Sequence, residues 1–179
     1  MTGALCADRF VRIDCDKDGY VVRIEVDQSM PLGLLVHSGE RDATVRRLAS
    51  RAGPKYARSG RACRFPVDAK DEALEFARLL RERLRGIAKK PISQRHVERI
   101  LAISSAERNR WAKDGRLARS GMATVRPGKT TVSLWTYPPD VIEALARNPD
   151  TIAAWRAADA RRDDLHGRGA AEIEHGEDA

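Results

Sequence analysis

The stretch from residue 92 to residue 135 constrains the fold more than any other part of the chain. Ser104 stands three residues before Glu107, which is the spacing of a capping box at a helix start. Apolar residues at helical spacing precede this signal, and Asp114-Gly115 follows it with a glycine of the kind that ends helices. The pattern predicts two short helices separated by a tight turn, with bounds 94–101 and 105–113.

A two-stranded ribbon is expected after the second helix. The strand-forming stretches Met122 to Val125 and Thr131 to Trp135 are joined by a basic turn that contains Pro127-Gly128. Asp140 is then placed as the cap of a short apolar helix, and a further helix after Asn148-Pro149 carries Ile152 and Trp155, which can pack back on this unit. From residue 163 the composition loses any apolar stripe, which predicts a disordered tail at 163–179.

Residues 1–88 predict a separate small unit with strand–strand–helix–strand–helix order. Residues 9–26 alternate around Asp18-Gly19, a strong β-hairpin signal. Ser38 is placed as the cap of the next helix and Asp68 as the cap of a long amphipathic helix at about 70–87. Pro66 has no backbone N–H to donate to a neighbouring strand, so its strand is assigned to a sheet edge. The expected fold class is α+β, a small ββαβα sandwich followed by a second unit at 89–162.

The hairpin turn also satisfies the spacing of a calcium-binding loop. Asp14, Asp16, Asp18 and Glu25 match the D-x-D-x-D-G-x5-E pattern of the EF-hand. That loop requires a helix after it, whereas residues 20–24 are rich in β-branched side chains. We interpret the motif as an acidic hairpin turn and keep a calcium site as the alternative.

The positive charge of the chain is confined to one segment. Residues 89–135 hold 11 Lys and Arg against 3 Asp and Glu, a net charge of +8, whereas the remainder holds 22 basic and 23 acidic residues. Positive charge that is concentrated on one compact unit indicates a surface that can bind a polyanion. We assign residues 1–88 to homodimerisation or to binding a protein partner.

Several classes of protein are disfavoured by what the sequence lacks. No apolar run approaches the ~18 residues of a membrane span, and the N-terminus does not read as a secretion signal. Cys6, Cys15 and Cys63 form no C-x-x-C pair, which favours a reducing cytoplasm. The histidines lack zinc-ligand spacing, and there is no Gly-rich phosphate loop or nucleophile motif. We therefore expect a cytoplasmic protein without enzymatic activity, metal, cofactor or membrane contact.

The second unit resembles the winged helix-turn-helix of the MerR and excisionase-like group of DNA-binding domains. The resemblance is carried by Ile103-Ser104, by RWAKDGRL at 110–117 and by the basic Pro-Gly ribbon, and it covers about residues 91–147. It implies a sequence-specific double-stranded DNA-binding protein, either a bacterial transcriptional regulator or an excisionase-like factor. Arg108 departs from the pattern, because family members have an apolar residue there that faces the first helix. Either the helix is rotated, or its core contact comes from Trp111 and Ala106 alone.

The expected DNA contacts lie at the start of the second helix, along its face and in the ribbon. The helix start at Ser104 offers backbone N–H groups to a phosphate. Arg and Asn side chains can read guanine and adenine through paired hydrogen bonds, so Ser105, Arg108 and Asn109 are placed in the major groove. Phosphate contacts are assigned to Arg110, Lys113, Arg116 and Arg119, whereas Arg126 and Lys129 at the tip of the ribbon can reach the backbone or the adjacent minor groove. Neutralising six to eight phosphates would give a log–log salt slope of roughly −5 to −7.

Two other functions remain open from the sequence. The chain could be a nucleic-acid-binding accessory subunit of a phage, plasmid or CRISPR-type machine, with affinity supplied by the assembly. It could also be a protein-interaction adaptor whose ribbon is basic for an acidic protein.

Overall fold

The computed structural model describes residues 4–8, 10–27, 30–52, 55–57, 62–126, 128 and 130–173. The chain is mixed α+β with two small antiparallel sheets, which confirms the expected fold class in its general form. The elements, in chain order, are β1 (Ala4–Asp8), β2 (Val11–Asp16), β3 (Gly19–Ile24), α1 (Leu32–Val36), α2 (Ser38–Ala52), β4 (Lys55–Ala57), β5 (Ala62–Phe65), α3 (Lys70–Ala88), β6 (Ile92–Ser93), α4 (Gln94–Leu101), α5 (Ser105–Lys113), β7 (Gly121–Val125), β8 (Val132–Tyr137), α6 (Pro139–Arg147) and α7 (Pro149–Ile173).

The first sheet has the strand order β1-β2-β3-β5-β4, with every neighbouring pair antiparallel. The expected hairpin is β2–β3, in which Asp16 pairs with Gly19. Gly19 has φ +130°, and a Cβ on it would lie 2.1 Å from the Phe65 carbonyl oxygen, so only glycine fits this turn. β1, β4 and α1 were not expected from the sequence.

Three local predictions in this unit are wrong. Pro66 does not mark an edge strand, because it follows β5, which lies between β3 and β4. Ser38 is the first residue of α2 rather than its cap, since α1 leads almost directly into α2. The N-cap of α3 is Ala69 and no side chain caps that helix, so Asp68 does not have the assigned role.

The carboxylates of the hairpin are engaged by arginines. Asp14 lies 2.9 Å from Arg12 and 2.8 Å from Arg23, and Asp16 lies 3.0 Å from Arg64. The segment after the turn is strand β3, not the helix that an EF-hand requires. Within the described residues, no group of three or more His, Cys, Asp or Glu side chains is placed to hold a metal ion.

The apolar core of this unit lies between the sheet and the helices α2 and α3. Val11, Ile13 and Val22 of the sheet are buried together with Leu80 and Leu84 of α3. The Phe65 and Phe76 rings lie 5.3 Å apart. The helical stripe that predicted α3 is therefore confirmed as the face that packs on the core.

The second unit is built around the fully buried Trp111 and Tyr137. Its sheet has the order β6-β8-β7, and β6, which was not expected, pairs Ile92 with Tyr137. The helices expected at 94–101 and 105–113 are confirmed as α4 and α5 with the same bounds. The N-cap of α6 is Pro138, so Asp140 lies in its first turn and does not have the assigned role of cap.

Helix α1 joins the two cores. Leu34 is buried in the first core, whereas Leu32 and Val36 pack against the second. The Leu32 backbone N–H donates to the Glu143 carboxylate of α6 at 3.1 Å. Leu34 packs one side of this short helix into the first core, and Leu32 and Val36, with the partly buried Leu32 hydrogen bond, fasten the other side to the second unit.

Helix α7 runs to Ile173, so the disordered tail expected from residue 163 is wrong for residues 163–173. The physical reason is that residues 149–162 of α7, which are rich in the strong helix formers alanine and arginine and are fastened to α5 by Arg156 and Asp159, start a helix that continues through the residues after them. None of the described helices is both long and apolar enough to cross a bilayer. Residues 174–179 lie outside the described part.

Gly33 tests the contact between α1 and α3. A Cβ on Gly33 would lie 2.1 Å from the Ala88 carbonyl oxygen, which is backbone and cannot turn away. We expect Gly33→Ala to lower the free energy of unfolding by about 2–3 kcal/mol, measured by urea denaturation. Gly39→Ala is the matched control, because nothing lies within 4 Å of its Cβ position. Equal stability of the two variants would contradict the close approach.

Candidate nucleic-acid interface

The turn between α4 and α5 fixes where α5 begins. Ala102 adopts a left-handed conformation with φ 50°, and its N–H donates to the Glu98 carbonyl oxygen. The Ser104 hydroxyl accepts from the Glu107 N–H at 3.1 Å, and the Glu107 carboxylate accepts from the Ser104 N–H at 2.7 Å. The predicted capping box is thus confirmed, and the first turn of α5 is held at its start.

One face of α5 is polar and open to solvent. Ser105, Asn109 and Lys113 are exposed and stand four residues apart, so they line the same side of the helix. Two of these side chains can donate or accept hydrogen bonds, and the third is a cation. The structure therefore brings together three of the residues expected at DNA.

Arg108 is not on that face. It is only 6% exposed, its Nε donates to Glu98 Oε1 at 2.8 Å, and its Nη1 donates to the Tyr137 hydroxyl at 3.2 Å. The expectation that Arg108 reads a base is wrong, because its guanidinium is committed to α4 and β8. Ala106 is exposed, so it does not provide a core contact either. Arg108 itself faces the first helix, at the position where the resembling family has an apolar residue.

Helix α7 lies along another side of α5. The Trp111 indole N–H donates to Asp159 at 2.8 Å, and the Trp111 and Trp155 rings meet edge to face at 5.0 Å. Burial alone would raise the pKa of Asp159, but hydrogen bonds from Trp111 and Arg116 bring it below its usual value. A buried, ionised carboxylate therefore joins α7 to the centre of the second core.

Two arginines expected at phosphates contact α7 instead. The Arg116 guanidinium lies 2.6 Å from Asp159, and only 20% of its side chain is exposed. Arg110 is half-exposed and lies 3.4 Å from Asp159 and 3.5 Å from Asp163. The assignment of Arg116 to phosphate is corrected to a structural ion pair, whereas Arg110 remains reachable from solvent.

The ribbon β7–β8 carries the remaining cations. The Arg119 guanidinium sits 4.4 Å above the Trp135 ring, a cation–π geometry that holds an exposed arginine in place. Met122 pairs with Trp135 across the strands and is 56% exposed. Arg126 is exposed at the end of β7. Lys129 lies outside the described residues.

Three further arginines of the second unit were missed by the sequence analysis. Arg95 and Arg99 are exposed one turn apart on α4, and burial followed by the charge of Arg99 lowers the pKa of the neighbouring His96. Arg156 of α7 donates to Glu107 at 2.6 Å and to the Ala102 carbonyl oxygen at 2.8 Å. One sequence signal could have indicated that a single face of α7 packs on the rest of the unit. This signal is the helical spacing of Ile152, Trp155, Asp159 and Asp163.

Comparisons with known proteins returned no match. No family model, curated protein or solved structure matches the chain. Function is therefore argued from the geometry of the second unit.

The capping box makes a prediction about pH. The hydrogen bond from Arg156 is the largest cause that lowers the pKa of Glu107 from about 4.5 to about 2. A folded-state pKa below the unfolded one stabilises the protein above about pH 4.5, and this contribution is lost as the pH falls through about 2. With the Glu107 side chain 26% exposed, we expect Glu107→Gln to cost about 1–2 kcal/mol at pH 7.

That cost should shrink between about pH 4.5 and pH 2, since Glu107 itself becomes protonated there. Urea denaturation at several pH values measures it. Glu82→Gln on the exposed surface of α3 is the control and should cost little at any pH. A pH-independent cost for Glu107→Gln would argue against the ion pair with Arg156.

Arg108 makes a second prediction. Arg108→Ala leaves Glu98 and the Tyr137 hydroxyl without their donor, so we expect a loss of about 2–4 kcal/mol in unfolding free energy. Arg108→Met combined with Glu98→Gln restores the volume and removes the orphaned charge, and should lose less than half as much. Wild-type stability of Arg108→Ala would mean that Arg108 is a solvated side chain.

Proposed function

We propose that residues 89–162 form a winged helix-turn-helix that binds double-stranded DNA. The observation that carries the proposal is the exposed polar face of α5, formed by Ser105, Asn109 and Lys113, in a unit whose ribbon also exposes Arg119 and Arg126. In this arrangement α5 enters the major groove, and β7–β8 acts as the wing against the sugar–phosphate backbone. The resemblance to the MerR and excisionase-like group supports the same docking.

Base recognition falls to Asn109. Its amide can donate to and accept from one adenine edge, and it occupies the middle of the exposed face. Ser105 lies one turn earlier and can hydrogen-bond to a neighbouring base or phosphate. Arg108 has no part in recognition, because its guanidinium is already bonded within the fold.

Phosphate contacts fall to Lys113, Arg119 and Arg126, with Arg110 able to join them. None of the first three has an acidic partner among the residues that the structure describes. Three to four neutralised phosphates correspond to a log–log salt slope of about −3 to −4, smaller than the sequence alone suggested. The difference arises because Arg116 is committed to an internal ion pair, Arg110 is shared with Asp159 and Asp163, and Lys129 lies outside the described residues.

The biological role that fits is a sequence-specific bacterial regulator or an excisionase-like factor in the cytoplasm. A short α5 with a single base-reading amide specifies few base pairs, which favours action as a dimer or beside a partner. Residues 1–88 would then supply the contact with the second copy or the partner.

The test begins with selection of bound sequences from a random duplex pool, followed by titration of the selected site and of a random duplex. Asn109→Ala should weaken binding to the selected site by about 1–3 kcal/mol and leave the random duplex unchanged. Lys113→Ala should weaken both duplexes alike and reduce the salt slope by about 1.

Arg46→Ala on α2 is the matched control, because it removes one exposed cation away from α5. It should bind both duplexes like the wild type. Absence of binding to any duplex at low salt would exclude the proposal and favour the protein-interaction adaptor. Binding without an enriched sequence would favour the accessory subunit.

A further inference from the structure

An open cavity of about 470 Å³ lies where the end of α5 meets α7. Three cations and two carboxylates line it, namely Arg110, Lys113 and Asp114 at the end of α5 and Arg162 and Asp163 on α7. Lys113 also belongs to the exposed polar face of α5, so the cavity adjoins that face. The charged surface therefore continues from α5 onto α7.

The two carboxylates of the lining are held with different strength. Asp114 accepts from Arg116 Nη2 at 2.6 Å and from the Arg116 backbone N–H at 3.2 Å. Asp163 is 67% exposed, and its ion-pair partner among the described residues is Arg110, at 3.5 Å. An exposed ion pair adds little stability, so Asp163 can be separated from Arg110 at small cost.

Arg110 can leave α7 without harm to the core. Its guanidinium is 46% exposed and lies 3.4 Å from Asp159, the other carboxylate that it contacts. Asp159 already accepts from the Trp111 indole N–H at 2.8 Å and from Arg116 at 2.6 Å. Release of Arg110 would therefore leave no buried carboxylate without a donor.

The position of Arg110 on α5 corresponds to a wall of the major groove. A helix about 10–12 Å in diameter fills a groove about 12 Å wide, so side chains beside its base-facing side meet phosphates. Successive residues of a helix lie about 100° apart around its axis. With Asn109 toward the bases, Arg110 is directed toward one strand of the backbone, and Asp163 lies on the same side.

We propose that this cavity is a phosphate site, in which Arg110 releases Asp163 and binds a backbone phosphate of duplex DNA. The site rests on the proposed function, since it requires α5 in the major groove. Asp163 is then an internal competitor that occupies Arg110 in the free protein. A guanidinium binds phosphate oxygens in pairs, which outweighs the loss of one exposed contact. Helix α7 thereby sets the strength of DNA binding without reading its sequence.

Asp163→Asn tests the competition. Fluorescence polarisation at about 100 mM salt compares the selected site with a random duplex. We expect the affinity for both duplexes to rise about two- to fivefold, because the ion pair with Arg110 no longer has to be broken. The melting temperature should not change, since the side chain is exposed.

Asp150→Asn is the matched control. Asp150 is exposed on the same helix, 13 residues before Asp163, so the two positions are about 20 Å apart. This distance exceeds the screening length of about 10 Å at 0.1 M salt. The affinity of Asp150→Asn for both duplexes should equal that of the wild type.

Arg110→Gln decides whether the gain passes through Arg110. The substitution keeps most of the side-chain length and removes the charge, so we expect weaker binding to both duplexes. Adding Asp163→Asn to Arg110→Gln should then give no further change. A gain of equal size with and without Arg110 would overturn the proposal, because Asp163 would then act only by repelling DNA at a distance.

The outcomes separate this site from the proposed function. Wild-type affinity of Asp163→Asn, in a chain that binds duplex DNA, would overturn the phosphate site and leave the winged helix-turn-helix proposal standing. Absence of binding to any duplex by the wild type at low salt would overturn both.

Discussion

The need to satisfy one buried indole N–H organises the second unit. Trp111 is fully buried, and its Nε1–H would be costly to leave without an acceptor. Asp159 supplies the acceptor, and because a buried carboxylate needs a cation, Arg116 is drawn in as well. One side chain of α5 thereby determines the position of α7 and removes an arginine from the surface.

The same pairing of charges inside the fold explains why the net charge of the segment overstates its capacity for a polyanionic partner. Residues 89–135 carry a net +8, but Arg108 pairs with Glu98, and Arg116 with Asp114 and Asp159. Arginines whose guanidinium groups are paired inside the fold orient helices and contribute little to the binding of phosphates. The cations left for a partner are those on the exposed turns of α4, at the end of α5 and on the ribbon.

Local signals in the sequence were sufficient to predict α4 and α5, but they do not encode contacts between residues that lie far apart in the chain. Capping and helical spacing act within four residues, so α4, α5 and the capping box could be predicted with their bounds. Arg108, by contrast, is placed by Tyr137, 29 residues away, and Arg116 by Asp159, 43 residues away. No local pattern encodes these pairs, which is why the two arginines were assigned to DNA. The strands β1 and β4 were not predicted for a related reason, since they are the two edges of the first sheet and each pairs with only one neighbouring strand.

The joint formed by α1 has a mechanical consequence. Because its opposite sides are packed into different cores, the first unit does not swing on a tether but is carried at a set angle and distance from α5. In the proposed complex with DNA, anything held by the first unit would be presented beside the same stretch of duplex on every encounter. A short rigid connection of this kind would raise the local concentration of such a passenger to the millimolar range or above, so a weak contact made by it would be enough to choose among neighbouring sites.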